Sequence, residues 1–444
     1  MCQPQTFKCN SDLPRISAEK VSIEHLPEDL LSNILSRLQA KELQKCKFVC
    51  KSWFNLIKDP HFVTNYYVVY NNNHRFHHHF QKIQDNDDLF VIRRPFSSSN
   101  KTFISLLSCS NNNNNKNNTN KNKEHVTSKV LNPPSEYNSD HKYWNEIMGP
   151  CNGIYFLEGK PNLMMNPSLG QFKALPESHF ATPFGANSIT DYTGFGFDPK
   201  SNDYKVVVIK DLWIREPGEE HLGWWRAELY SLNSNSWRKL DAVLPLPFEI
   251  WGSSRVYTFV NNCCHWLGYV QDDDDDEFGE RKDVVLSFDM VNEAFRKIKV
   301  PRVRDSWEES SLTLAPRDES ARIGLVVYPA REKEKHYDVW VLKDYWNEDS
   351  WVKVYSVGPL QVISTLVGVC GRDQFLWKDN NEELVMCEAE SGKVKEDLRV
   401  FGKNDSLRGA RYMESIVSLH RRNEFSCQCV SIDWVPDHLA NNTS

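Results

Sequence analysis

The chain has 444 residues, of which 40% are hydrophobic, 25% charged and 12% aromatic, with 14 Trp and a formal net charge of −7. That is a globular composition longer than one average domain, and no run of 18 apolar residues is present that could cross a membrane as a helix. Lys and Arg exceed Asp and Glu by two over residues 20–70 and by three over 71–140, which leaves about −12 for residues 141–444, a field that favours a basic partner over nucleic acid.

Residues 1–20, "MCQPQTFKCNSDLPRISAEK", read as a disordered tail without the charged-then-apolar pattern of a secretory signal. The 12 cysteines are unevenly spread, and Cys46, Cys151 and Cys370 lie in apolar segments, as free thiols of a reducing compartment do. An intracellular protein is expected, cytoplasmic with the nucleus also open to it.

Residues 21–66 form the first unit. Leu30, Leu31, Ile34, Leu35 and Leu38 fall within an arc of about 140° at ~100° per residue, an amphipathic helix opened by Pro27 and by Glu28 and Asp29 at its positive end. A second stripe runs Leu43, Cys46, Cys50 and a third Val49, Trp53, Leu56, Ile57; Asp59-Pro60 then breaks and recaps the chain before Phe62 and Tyr66. So small a unit buries little, and Leu30, Ile34, Leu35, Leu43 and Trp53 offer more apolar surface than it can cover. The surplus must face either the rest of the chain or another protein, and the pattern leaves both open.

Beyond it the texture is β. "YYVVY", "DLFVIRRPF" and "KTFISLLS" read as strands, residues 110–123 as an Asn-rich loop, and the acidic run Asp272–Glu277 as part of a solvated hairpin loop spanning 271–283. From Tyr143 a strand, a turn and an aromatic residue followed by basic residues recur. The anchors Phe172, Trp237, Phe295 and Trp351 are spaced by 65, 58 and 56 residues. Three to four strands per repeat suit a propeller blade of the kelch type, although the Gly-Gly doublet of kelch repeats is missing. The fold class expected is therefore multidomain, α plus all-β: a small helical unit, then a degenerate kelch-like β-propeller over 67–425 with its blade count open, then a polar tail over 426–444.

Chemistry-bearing motifs are few. Cys263-Cys264-His265 cannot close one tetrahedron, because adjacent strand residues point to opposite faces, and Cys427-x-Cys429 has no second pair. "GFGFDP" (194–199) lacks the third Gly of a dinucleotide fingerprint and reads as a turn. No HExxH, GxSxG or P-loop appears, so no metal, no cofactor and no catalytic residue is expected.

The segment "LPEDLLSNILSRLQAKELQKCKFVCKSWFNLIKDPHFVTNYY" closely resembles an F-box. The resemblance implies docking to a Skp-type adaptor and through it to a cullin, with Leu26, Pro27, Leu30, Ile34, Leu35, Leu43 and Trp53 lining or supporting the interface. The remainder, through "GPCNGIYFL", "GFGFDPKSNDYKVVVIKDLW", "AELYSLNSNSWRKLD" and "LSFDMVNEAFRKI", resembles the F-box-associated, kelch-like region of the S-locus F-box proteins of the nightshade family and their paralogues. That likeness implies a non-catalytic substrate-recognition subunit of an SCF-type ubiquitin ligase, with a basic S-ribonuclease as a candidate substrate. Recognition is expected on loops: Asp211, Trp213 and Glu219 in one, Asp272, Asp274 and Asp276 in the second, Arg304 and Trp307 in the third. A β domain that binds a glycan or small molecule, a scaffold without ligase assembly, and a propeller enzyme are the competing readings.

Overall fold

The computed structural model describes residues 26–66, 89–93, 102–110, 125–131, 134, 137, 144–180, 186–214, 222–245, 248–250, 256–271, 281–303, 310–317, 322–329, 332, 334–361, 363–370, 373–395, 398, 400–402, 406–420 and 435–436. The N-terminal tail, "YYVVY" beyond Tyr66 and the Asn-rich tract from 111 to 123 lie outside the described residues.

The helical unit comprises α1 (Glu28–Leu35), α2 (Ala40–Cys46), α3 (Lys51–Lys58) and helical backbone over 60–66. Pro27 caps α1 in extended conformation, with Glu28 and Asp29 in the first turn. Asp59 recaps the chain as its sequence suggests: Oδ1 accepts from the backbone N–H of His61 (2.8 Å) and Phe62 (3.2 Å), and Pro60 needs no donor at the next position. Leu31, Leu35, Ala40, Leu43, Ile57, Phe62 and Tyr66 make the core.

The strands follow in chain order: β1 (Leu89–Arg93), β2 (Phe103–Ser110), β3 (His125–Leu131); β4 (Trp144–Cys151), β5 (Ile154–Gly159), β6 (Leu163–Asn166), β7 (Gln171–Ala174); β8 (Ala186–Asp198), β9 (Asp203–Ile214), β10 (Leu222–Ser231), β11 (Ser236–Lys239). Then come β12 (Glu249–Ile250), β13 (Phe259–Val260), β14 (Cys263–Gln271), β15 (Arg281–Asp289), β16 (Ala294–Lys299); β17 (Ser310–Arg317), β18 (Arg322–Pro329), β19 (Lys335–Leu342), β20 (Trp351–Leu360). Last are β21 (Ile363–Val369), β22 (Gln374–Asp379), β23 (Leu384–Glu388), β24 (Val394–Lys395), β25 (Arg408–Arg411) and β26 (Val435–Pro436).

These form five hydrogen-bonded sheets around a β-propeller, four of them antiparallel units of four or five strands. The fifth, β24-β23-β22-β21-β25-β1-β2-β3-β26, joins two further units, β21–β24 and β25-β1-β2-β3, through a two-residue parallel contact of Gly368 with Gly409 and Val369 with Ala410. A Cβ on Gly368 would lie 2.3 Å from the Gly409 carbonyl oxygen, so only glycine allows that approach. Neighbouring units meet in the order β25, β4, β8, β14, β17, β21 and back to β25, so six units close the ring within five sheets. Closure depends on β25, a late strand inserted inside β1. The segment read as a polar C-terminal tail is not wholly tail, because Val435–Pro436 pairs with Lys129–Val130 at the sheet's outer edge.

The repeat legible in the sequence is the outer hairpin of each unit. Phe172, Trp237, Phe295 and Trp351 sit on β7, β11, β16 and β20, the outermost strands. Three share one turn: Asn166, Ser231 and Asp289 accept from backbone N–H two or three residues on, and the fourth residue on (Gly170, Asn235, Glu293) has φ of 68°, 54° and 54°. The aromatic follows two residues later. Two indoles then bolt adjacent units together: Trp237 Nε1 donates to the Pro176 carbonyl (2.6 Å) and Trp351 Nε1 to that of Lys299 (3.0 Å).

"GFGFDP" is not a turn, contrary to the sequence reading. Gly194–Asp198 ends β8, and the turn begins at Asp198. Gly194 and Gly196 are there for packing, since a Cβ would lie 2.7 Å from the Trp266 ring and 2.3 Å from that of Phe259.

Asp198 also anchors a contact between units. Lys205 Nζ, buried, donates to Asp198 Oδ2 (2.8 Å), the Met290 carbonyl (2.9 Å) and Glu293 Oε1 (3.0 Å). Burial by itself raises the Asp198 carboxyl, but hydrogen bonds from Lys205, Ser201 and the backbone of Lys200 and Ser201 outweigh it and hold the group at about 2. A pKa depressed in the folded state stabilises above the unfolded value near 3.8, and that stabilisation is lost as pH falls towards 2. Asp198→Asn should therefore be less stable than wild type at pH 7, with a gap that shrinks between pH 4 and 2 in urea melts. A gap independent of pH would sink this assignment.

Five described cysteines, Cys151, Cys263, Cys264, Cys370 and Cys387, are buried, while Cys46 and Cys50 are half-exposed. Burial pushes Cys263 up to about 11 and Cys151 and Cys264 above the usual thiol range. Native-state alkylation at pH 7.5 should mark Cys46 and Cys50 and spare the other five until denaturant is added, as read by peptide mass spectrometry.

Candidate functional site

The helical unit presents two faces. Leu31 and Leu35 point into its core, whereas Leu30 and Ile34, one position earlier on α1, are 54% and 51% exposed. The single stripe read from the sequence is therefore split. Of the eight large hydrophobic side chains exposed among the described residues, four lie in residues 26–66: Leu30, Ile34, Phe48 and Val49. Half of these exposed side chains thus sit on the smallest unit, the kind of apolar exposure that makes it the candidate for docking.

Among the residues expected at the adaptor interface, Pro27, Leu30 and Ile34 are exposed, and Leu26 and Trp53 are half-buried. Leu35 and Leu43 are 1% and 0% exposed, so they support the face from the core and cannot touch a partner. Sequence reasoning did not single out Phe48 and Val49 as interface residues. They occupy the turn between α2 and α3; Val49 belongs to the Trp53 stripe of the sequence, and Phe48, outside every stripe, was the available signal.

The opposite face of the unit is seated on the propeller. Glu414 Oε2 accepts from the Ala40 backbone N–H (3.0 Å) and lies 3.1 Å from the Tyr66 hydroxyl, whose one proton it shares with the Leu38 carbonyl (3.1 Å), and Ile416 and Leu169 pack on the helical core. One side of the unit thus packs on the rest of the chain, while Leu30 and Ile34 stay exposed.

Strand alternation fixes which end of the propeller this is. In each antiparallel unit the first-to-second and third-to-fourth turns share one end, while second-to-third turns and links between units share the other. Leu169 lies in the β6–β7 turn, and residues 412–416 follow β25 to pack on Gly153 in the β4–β5 turn, so the helical unit sits at the first of these ends. The strand ends that flank 215–221, 272–280 and 304–309 all lie at the other.

Of the expected substrate contacts, Asp211 and Trp213 are in strand β9, paired with Trp225 and Gly223, not in a loop. Both are half-buried, and burial, then the charge of Glu249, raises the Asp211 carboxyl. Glu219, Asp272, Asp274, Asp276, Arg304 and Trp307 lie outside the described residues.

A cavity of about 50 Å³ bordered by β4, β8 and β14 is lined by Glu146, Glu158, Thr193, Tyr257, His265 and Trp266, among others. That is room for a few water molecules. Three of its polar groups are matched internally, while the Thr258 hydroxyl in the same lining has no hydrogen-bond partner among the described residues: Arg408 grips Glu146, Thr193 donates to Glu158 (2.5 Å), and His265 Nε2 meets the Tyr345 hydroxyl (3.0 Å). Burial pushes His265 down to about 3, so the ring is neutral at physiological pH. Among the described residues no group of three or more His, Cys, Asp or Glu is placed to hold a metal.

Residues 23–65 match the F-box domain family, and residues 96–431 match the family described as F-box associated beta propeller domain. F-box protein CPR1 of Arabidopsis thaliana is 25% identical over 88% of each chain, and an F-box/kelch-repeat protein of the same plant is 22% identical over 76% of this chain and 81% of its own. The solved structure of YjhT is 11% identical at a TM-score of 0.34, covering 57% of this chain and 83% of that one, too remote to inform function. The second match takes in most of the chain, from β2 to beyond β25, and the first takes in the helices that expose Leu30, Ile34, Phe48 and Val49. The chain therefore belongs to the F-box-associated β-propeller family and carries an F-box ahead of its propeller.

Proposed function

We propose that this protein is a substrate-recognition subunit of an SCF-type ubiquitin ligase, acting in the cytoplasm and performing no bond chemistry itself. The observation that carries the reading is the exposed apolar face of the F-box, Leu30, Ile34, Phe48 and Val49, on a unit whose other side is already seated on the propeller. An F-box implies binding to a Skp-type adaptor and through it to a cullin. The propeller then holds a substrate near the charged ubiquitin carrier, raising the effective concentration of its lysines.

The acidic balance of residues 141–444 supports a basic protein as substrate, by steering and charge complementarity. The likeness to S-locus F-box proteins rests on the sequence segments quoted above, and it makes basic S-ribonucleases the first candidates to test. The end of the propeller opposite the F-box is the proposed recognition surface, because the three candidate loops join strand ends there. The cavity lined by Glu146 and His265 has room for only a few waters and lends no support to a glycan or small-molecule reader.

The test is reconstitution. The full chain should co-purify with a plant Skp-type adaptor and cullin, and the assembled ligase should ubiquitinate a basic ribonuclease in a salt-sensitive manner. Failure to retain the adaptor would sink the ligase reading; retention without modification of any basic protein would sink the choice of substrate.

A further inference from the structure

The segment after β25 does more than close the ring. Residues 413–419 lie as a strap on the unit β4–β7. The Met413 N–H donates to the Tyr155 hydroxyl (3.0 Å) and the Ser415 N–H to Ser168 Oγ (3.0 Å). Asn166 Nδ2 donates to the carbonyls of Ser415 (3.2 Å) and Val417 (2.8 Å), and the Leu419 N–H to Gln171 Oε1 (2.9 Å). Gly153, at φ +72°, lies flush beneath it: a Cβ there would be 2.7–2.9 Å from Ser415, Met413 and Glu414. The backbone on both sides of Glu414 is therefore fixed to the propeller. From that fixed base the Glu414 carboxylate reaches two F-box elements, Ala40 at the start of α2 and Tyr66 at the end of the last helix, 374 and 348 residues away in sequence. Ile416, 3% exposed, fills the apolar gap beside it.

We infer that Glu414 is a positioning residue: through these two hydrogen bonds the strap sets the orientation of the F-box on the propeller. The inference rests on the ligase reading only for its purpose. A fixed orientation holds the adaptor face and the opposite, substrate end at one separation, so a bound substrate is presented to the ligase in one geometry and not swept through many. Two F-box elements, the start of α2 and the end of the last helix, converge on one carboxylate oxygen, and Ile416 and Leu169 pack against the same helical core, so that the polar and apolar contacts together define an orientation where a single contact would leave a pivot. The charge of the carboxylate strengthens both hydrogen bonds.

The experiment uses the full chain with fluorophores placed through unnatural amino acids at Asn55 on α3 and Lys239 on β11, both exposed. Single-molecule energy transfer should give one narrow distance distribution for wild type. Glu414→Ala should broaden it at least about twofold, as expected when a defined state becomes an ensemble. Glu414→Gln, which keeps an acceptor oxygen, should stay narrower than Glu414→Ala. The thermal transition of the propeller and retention of the Skp-type adaptor are read in parallel and should not change. A distribution in Glu414→Ala as narrow as wild type overturns the inference. Should that variant fail to fold, Tyr66→Phe removes the hydroxyl's contacts with Glu414 and with the Leu38 carbonyl without opening a cavity, and an unbroadened distribution in it overturns the inference equally. Loss of adaptor binding by wild type would reject the ligase reading while leaving the distance result to stand or fall alone.

Discussion

Ile34→Asp should abolish retention of a Skp-type adaptor while leaving the protein folded. Ile34 is 51% exposed, so a carboxylate there stays in water in the free protein, and the change in stability should be within ~0.5 kcal/mol, as for surface substitutions generally. In the complex the same carboxylate would be buried without a partner, which costs at least about 3 kcal/mol, or roughly a hundredfold or more in affinity. The neighbouring position provides the contrast. Leu35 is 1% exposed inside the F-box core, so Leu35→Asp should unfold the F-box and lose the adaptor for a different reason. Co-purification combined with circular dichroism of both variants separates the outcomes. A folded Ile34→Asp variant that still binds would move the interface away from α1.

Arg408→Ala should produce the largest loss of propeller stability among single substitutions at polar sites described here. Arg408 on β25 grips Glu146 on β4 with two parallel bonds, Nε to Oε2 and Nη2 to Oε1, both 2.6 Å, and Nη1 donates to the Leu407 carbonyl (2.9 Å). Both side chains are 9% exposed. Such a pair gains little over an apolar replacement, but removing one partner strands a buried charge at a cost of about 3–5 kcal/mol. The location adds to the effect, because β25 is the strand that closes the ring and leads into the strap beneath the F-box. A fall of roughly 6–15 °C in Tm follows from that cost for a domain of a few hundred residues. Arg408→Met combined with Glu146→Leu should recover much of the loss, since no charge is then left buried. Differential scanning calorimetry of the single and double variants checks both statements, and equal losses in the two would mean that the ion pair itself stabilises the closure.

The sequence carried the local periods well. The helical stripe of α1, the recap at Asp59-Pro60, and the outer-strand anchors Phe172, Trp237, Phe295 and Trp351 could all be read from it. Each is a short-range pattern, set by 3.6-residue or 2-residue alternation and by a turn that demands a positive φ four residues after its capping side chain. The family resemblance of the F-box was equally local, a run of about 40 residues.

What the sequence could not determine is which face each pattern shows and which distant segments meet. Leu30 and Leu31 look alike in sequence, yet one is exposed and the other buried, because burial depends on where α2 and α3 cross α1. Asp211 and Trp213 read as loop because polar residues follow them, but pairing with β10 extends β9 to Ile214. Gly194 and Gly196 resembled a turn, whereas what they accommodate is the side chains of Trp266 and Phe259 from the next unit. Ring closure by β25, the Arg408–Glu146 pair and the grip of Glu414 on the F-box join residues roughly 250 to 375 positions apart. No periodicity encodes such contacts. They exist only once the ring is closed, because only then do its first and last units become neighbours.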